Sequence, residues 1–576
     1  MNSNAPLIRS RAQTHALALF FPNPKVFILS LFVAVSFWTG TVCSQVTPPG
    51  VEEEVEGELE ILYEDSDAGS RILFGLKTAT ERLWLHFAGT EPTHLMTGAR
   101  VRVRGVRNQN LLALGGGNGN KKGNVEEVTP APPLNVIGER RVLMILVNFQ
   151  DKPDQPYTVA DTQNVLFGDT SDFMMENSYQ QTWLSGNVAG WYTIPFTSTV
   201  CDIFSIATYA KEAATAAGYN LAAYSHYVYA FPQNACGGQG VGTVGGSPSE
   251  SWIIGSLDLK VLGHELGHNF GLYHSRALDC GNSVLGTNCS VFEYGDRIDT
   301  MGNVSAGHFN AFQKERLGWL DYNISPPITT VQENGLYTIE SLETVGNGPK
   351  ALAILKSTDP TTGQQTWYYV EHRQAVGFDS FLETNNNVLN GIVVHTGSPS
   401  NGNSSYLLDM TPASASQNWS DWSDPALVVG RNFFDPDSGV TISTVSVGST
   451  GAVVSVNFAS PACVHAKPSV TISPSQGPMV LAGTAVTYTV SVTNNDPSNC
   501  LASSFALQAT LPTGWQAAIA TSTLTLNPGM SASTNLTVAS PITASRGTYS
   551  FSVSATNTAA PTFTASSTAT YVIKRK

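Results

Sequence analysis

At 576 residues, with 42% hydrophobic and only 13% charged side chains, the chain is long enough for three or four domains with cores of their own. Its formal charge is −14 and no basic stripe runs along it, so it has nothing to neutralise phosphates and nucleic acid is excluded as a partner. Abundant Gly, Ser, Thr and Asn suit β-rich extracellular modules better than a helical cytosolic enzyme.

Arg9, Arg11 and Lys25 precede an uncharged run from Val26 to about Val42, and Val42-Cys43-Ser44 offers small residues for cleavage before Gln45. Residues 1–44 therefore read as a signal peptide. The run is short for a membrane anchor and no basic stop follows it, so no stable span is expected after its removal. Val42 is bulkier than the residue that usually precedes a lipidated cysteine. The chain is expected to be secreted, or associated with a cell surface, and to be a monomer. Six cysteines follow the signal: Cys201, Cys236, Cys280, Cys289, Cys463 and Cys500. An even count in an exported chain points to disulfides. Of the fifteen pairings six cysteines allow, the sequential one keeps each bridge local.

Residues 45–124 are expected to form a small β-barrel-like prosegment or accessory domain. Strands are predicted at 58–63, 71–76, 82–87 and 99–106, and Arg100-Val101-Arg102-Val103-Arg104 alternates with period two, one face buried and one solvated. Glycine, asparagine and lysine at 115–123 and three prolines within 128–134 mark a break, so 125–138 is a linker. Arg141 to Phe149 is then a near-continuous apolar strand, buried on both faces, opening an α/β catalytic domain over 139–325. A helix is predicted at 206–217 and a strand at 227–231. Six glycines among Gly237–Gly246 form either a sheet edge onto which an extended peptide can add, or a flexible loop.

Residues 264–274 read His-Glu-Leu-Gly-His-Asn-Phe-Gly-Leu-Tyr-His. His264 and His268 are four apart and share one face of a helix predicted at 257–270, with Asp258 near its start. Glu265 is placed to hold a water that the ion polarises. Gly271 can end the helix in a left-handed conformation, and the chain then returns His274 as a third nitrogen. Three nitrogens leave the fourth position of a zinc ion open, as a catalytic site requires.

This string, with Met301 in the segment Glu293–Gly302, resembles the metzincin zinc metallopeptidases, and within them the gametolysin-like family. The resemblance covers about residues 140–460. It implies a zinc endopeptidase with metal ligands His264, His268 and His274, Glu265 as general base, and Met301 in a turn beneath the metal. Some members of that group hold themselves latent with a cysteine on zinc. Residues 45–114 contain no cysteine, so here a carboxylate or steric cover would have to take that place. His308 can assist the oxyanion, although a lone histidine is more often a packed or surface residue. Two other readings stay open. Glu293 can be the third ligand, as in thermolysin-like peptidases, or the zinc can be structural in a non-catalytic adhesion or matrix-binding protein.

A second helix is predicted at 313–320. Residues 326–460 are β-rich and expected to pack on the peptidase. The acidic turn at 435–439 can hold calcium, but it lacks a full set of oxygen ligands and an ordinary turn fits it better. Beyond Pro461 the chain is almost free of charge. Strands at 485–492, 504–511, 522–526 and 548–555 make 461–576 an immunoglobulin-like sandwich, and Leu511–Trp515 with Leu526–Gly529 resembles the NEW3-like modules of secreted hydrolases. The fold expected is thus multidomain: a metzincin-like α/β (α+β) catalytic domain between a small N-terminal β domain and C-terminal β-sandwich domains. Its partners would be polypeptide substrates, with matrix or glycan contact through the last module.

Overall fold

A computed structural model describes residues 51–66, 69–89, 91–115, 125–302, 306–321, 326–414, 421–459 and 463–575. The expected signal peptide and the glycine-rich stretch from 116 lie outside the described residues. The N-terminal strands are β1 (Val51–Ser66), β2 (Gly69–Lys77), β3 (Arg82–Phe87), β4 (Arg100–Asn108), β5 (Leu111–Leu114) and β6 (Val125–Thr129). β1 pairs with both β2 and β4, β3 bridges β2 and β5, and β5 returns to β4, so five strands close a barrel. Val101 and Val103 point into its core. The alternating arginines face outward: Arg100 and Arg102 reach Glu56, and Arg104 reaches Glu54.

The next layer is the sheet that carries the zinc-type string. β7 (Gly138–Phe149), β8 (Thr182–Ile194), β9 (His226–Phe231) and β11 (Ser249–Ile254) are parallel, in the order β11-β9-β7-β8. β10 (Gly240–Thr243) runs antiparallel against β11. Two short helices, α1 (Val159–Gln163) and α2 (Ser171–Asn177), link β7 to β8. Val142, Met144 and Leu146 project to one face and Leu143, Ile145 and Val147 to the other, which is why the β7 sequence is apolar throughout. α3 (Ile203–Ala216) packs Ile206, Ala210 and Ala214 on the second face. α4 (Leu259–Asn269) packs Leu262 and Leu266 on the first.

On the far side of β10 the neighbour is β1, so the barrel and the α/β sheet are one continuous eleven-stranded sheet. Leu62 to Asp65 run antiparallel to Thr243 to Gly240. The predicted strand ended at Tyr63. It continues to Ser66 in the hairpin with β2, and Leu62 to Asp65 take β10 as a second partner on the other side.

α5 (Ala311–Arg316) is shorter than the predicted helix and starts at Asn310, whose side chain accepts from the Gln313 amide. A further sheet straddles residue 325. Arg276–Asp279 and Ser290–Phe292 join Asn401–Leu408, Gly391–Ser398, Gln365–Glu371, Ala351–Thr358 and Ile328–Val331. The 139–325 and 326–460 segments therefore share a sheet, because Arg276–Asp279 finds its parallel partner more than a hundred residues on. Fully buried Arg373 adds a polar tie between them: it pairs with Glu343, Glu371 and Asp379 and donates to the Ile298 and His308 carbonyls. Asp435, in the acidic turn, accepts from Tyr368, Ser438 and the Asp437 amide, the pattern of a structural turn. Residues 469–573 form four- and five-stranded sheets around one core that includes Tyr488, Phe505, Phe551 and Tyr571. The disulfides are the sequential pairs Cys201–Cys236, Cys280–Cys289 and Cys463–Cys500. Among the described residues no helix is long and apolar enough to cross a membrane.

α4 is delimited by its sequence. The Asp258 carboxylate accepts from the Val261 amide at 3.0 Å and caps the start. At the end Gly271 has φ +99°, and the Gly271 and Leu272 amides return to the His268 and Gly267 carbonyls at 2.8 and 3.0 Å. A Cβ on Gly271 would also run into Leu134 and Met96. Gly271→Ala is expected to destabilise the chain by about 1–3 kcal/mol in chemical denaturation. A change within about 0.5 kcal/mol would contradict this account of the helix end.

Candidate metal centre

α4 and the reversal after it bring His264, His268 and His274 to one point, and all three rings are almost fully buried. Each Nδ1 is already committed. That of His264 lies 2.8 Å from the Thr300 carbonyl, that of His268 lies 2.8 Å from the Leu272 carbonyl, and that of His274 lies 2.8 Å from Glu293 Oε1. These acceptors place a hydrogen on each Nδ1 and leave each Nε2 as a bare lone pair. The 3.1 Å contact between His264 Nε2 and His274 Nε2 is therefore two lone pairs facing each other, not a hydrogen bond.

The fourth corner is filled, contrary to the open position expected from the string alone. Asp65, near the end of β1, puts Oδ2 3.3 Å from His264 Nε2 and 3.4 Å from His268 Nε2, and Oδ1 3.0 Å from His274 Nε2. Within the protein His268 Nε2 and Asp65 Oδ2 have no hydrogen-bond partner. A tetrahedral ion with ligand bonds of about 2.0–2.1 Å separates its ligands by about 3.3 Å. Three bare nitrogens and a carboxylate at 3.0–3.4 Å fit that geometry and that charge.

Glu265 is buried beside this group. Its carboxylate lies against Gly240 and Gly242 of β10, where any Cβ would collide with it, and Oε2 has no partner. Burial and the negative charge of Asp65 push its pKa well up. Gly240 to Thr243 are thus a strand moulded around Glu265 rather than a loop, and the strand is paired on one side with β11 and on the other with β1.

Met301 is fully buried under α4, with Sδ where a Cβ of Gly267 would lie. Its turn is tied by Asp299, which accepts from the Met301 and Asn310 amides at 2.7 Å each, and it presents the Thr300 carbonyl that orients His264. Glu293 is not among the converging ligands. It accepts from His274, from Tyr63 Oη at 2.6 Å and from Arg276 Nε at 2.6 Å, and so orients His274. His308 is also elsewhere. Its ring lies between Glu176 and Lys314, both at 2.9 Å, in the network that surrounds Arg373, and burial and the Lys314 charge push its pKa down to about 4.

The site also contains residues that the motif does not announce: Asp65, Tyr63 and Tyr294. The Tyr63 ring stacks on His268 at 4.7 Å and lies 3.9 Å from His274. The Tyr294 hydroxyl donates to Asp65 Oδ1 at 2.6 Å.

Residues 165–402 match the gametolysin peptidase M11 family. This segment is similar to the gametolysin metallopeptidases. The M11 match contains all three histidines, Glu265 and Met301, and it runs across the sheet that straddles residue 325. Residues 480–558 match the NPCBM-associated NEW3 domain of alpha-galactosidase. No curated protein matches the chain. Similar solved structures include a FixG-related protein from Vibrio parahaemolyticus, 13% identical, covering 19% of this chain and 97% of that one at a TM-score of 0.16. The PapD-like domain 7 of human CEP192 is 11% identical and covers 21% and 94% at 0.16. The secreted serine protease VesC of Vibrio cholerae is 10% identical and covers 28% and 38% at 0.15. Likeness at these scores carries no argument.

Glu293→Ala would leave the His274 Nδ1 hydrogen without its acceptor. The expected result is metal affinity weakened by about 10–100-fold in competition with a chelator. Unchanged affinity would remove Glu293 from the support of the site.

Proposed function

We propose that this protein is a secreted zinc endopeptidase of the metzincin type, made in a latent form that Asp65 closes. The single observation that carries the reading is Glu265, a buried carboxylate with an unpartnered oxygen beside three converging imidazoles. A structural zinc site has no use for such a group, and an unpaired buried carboxylate is costly to keep. The four parallel strands, the antiparallel β10 at the cleft and the buried methionine turn support the metzincin assignment.

A zinc ion held by His264, His268 and His274 would supply a Lewis acid that acidifies a water and polarises the scissile carbonyl. Glu265 accepts the proton of that water and delivers it to the leaving amine. The three Nδ1 acceptors, Thr300, Leu272 and Glu293, keep the imidazole lone pairs aimed inward without rearrangement. Gly240 to Thr243 offer main-chain groups to an extended peptide, which takes the place of β1 and its antiparallel direction. Peptide bonds of extracellular proteins are the substrates. The sandwich over 469–573 serves as a spacer or as contact to glycan or matrix.

The filled corner favours a second reading, a closed structural site in an adhesion protein. The origin of the fourth ligand argues against it. Asp65 arrives on a barrel joined to the peptidase through a glycine-rich stretch, so one cut separates it from the histidines. Limited trypsin cleavage at Lys121-Lys122 of the zinc-loaded full chain is expected to release casein hydrolysis that a chelator abolishes. Glu265→Gln treated in the same way should keep one zinc per chain and lose at least about 10³-fold in turnover. A cut chain that keeps its zinc and hydrolyses nothing would favour the structural site.

A further inference from the structure

Tyr294 has no assigned part in the chemistry above. Its hydroxyl donates at 2.6 Å to Asp65 Oδ1, and that same oxygen lies 3.0 Å from His274 Nε2. One negatively charged oxygen thus lies at the histidine cage and accepts from a phenol. The phenol does not depend on Asp65 for its place. Its ring lies against His274 at 4.8 Å, and the preceding Glu293 is fixed by His274 and Arg276. The following Gly295 closes a turn onto the Phe292 carbonyl at 3.1 Å and fits tightly against Ala277, where a Cβ would collide. Tyr63 differs, because it belongs to β1 and leaves with the barrel.

We propose that Tyr294 is a catalytic residue, and that the Asp65 carboxylate marks where the oxygen of the scissile carbonyl becomes anionic. This rests on the peptidase reading above. As water adds to the carbonyl carbon, the C–O π pair moves onto oxygen and the proton of the water passes to Glu265. The Tyr294 hydroxyl donates a hydrogen bond to that oxygen and transfers no proton. When the oxygen pair returns, the C–N bond breaks and the amine takes the proton from Glu265. A donor placed in advance where charge develops stabilises the transition state more than the ground state. If Tyr294 served only as a latch for Asp65, it would affect latency and nothing after the barrel leaves.

The test uses the full chain loaded with cobalt(II), in an Asp65→Ala background that opens the corner, with formate as the probe in place of the lost carboxylate. Formate binding is followed by the visible absorption of cobalt. Adding Tyr294→Phe is expected to weaken formate by about 10–100-fold, the effect of one hydrogen bond to a charged acceptor. After trypsin cleavage of the linker, the same substitution should lower kcat by about 10²–10³-fold with KM nearly unchanged. Unchanged formate affinity and kcat would overturn the proposal. Weaker formate with intact kcat would reduce Tyr294 to a latch and overturn its catalytic role. Should the double variant lose its cobalt or unfold, the ultraviolet difference spectrum of Asp65→Ala on adding formate decides: a tyrosine perturbation is expected, and its absence contradicts the proposal. Failure of Asp65→Ala itself to take up cobalt would overturn the metal reading, and this one with it.

Discussion

Three imidazole lone pairs that point at each other repel unless a cation lies between them. The rest of the site is arranged to enforce that repulsive geometry. Thr300, Leu272 and Glu293 each take an Nδ1 hydrogen, so no ring can turn its own N–H inward and relieve the contact. Each acceptor comes from a different element: the methionine turn, the chain reversal after Gly271, and the loop before Tyr294. The surrounding fold holds these elements in place, through Asp299 under the turn, the glycine stop of α4, and Arg276 beside Glu293. The fold thus invests its rigidity in keeping three nitrogens bare.

β10 couples this centre to the N-terminal barrel. It has no side chain where Glu265 lies, and it offers its free edge to β1. A strand laid there reaches the histidines with Asp65 and stacks Tyr63 over two of the rings. Edge pairing, ring stacking and a fourth carboxylate all act through the same four residues, Leu62 to Asp65. On the latent reading proposed above, separation of the barrel would remove all three together. On that reading an extended peptide would add to β10 in the same antiparallel direction as β1.

The most legible parts of the site were local in sequence. His264, Glu265, His268, Gly271 and His274 lie within one helix and its stop, where spacing alone fixes which side chains share a face. Apolar runs such as Arg141–Phe149 and the alternation at 100–104 also report their own environment. What sequence could not show depended on pairing across long separations. Asp65 is one of 44 acidic residues and becomes special only because pairing with β10, 175 residues on, lays the end of β1 beside the cage. Arg276–Asp279 is too short to signal a strand until Asn401–Leu408 lies beside it, so the boundary drawn at 325 cut through a sheet. Glu293 and His308 carry suitable chemistry but turn to a neighbouring histidine and to a buried charge network, a choice made by packing and not by residue type.

The central claim is that the full chain holds one metal ion with three imidazoles and the Asp65 carboxylate. X-ray absorption at the zinc edge of the intact zinc-loaded protein reads this directly. The account predicts four nitrogen or oxygen neighbours at about 2.0–2.1 Å, with the outer-shell scattering of three imidazoles, and a change in the first shell when Asp65 is replaced by alanine. A sulfur neighbour, fewer than three imidazoles, or a spectrum indifferent to the loss of Asp65 would contradict it.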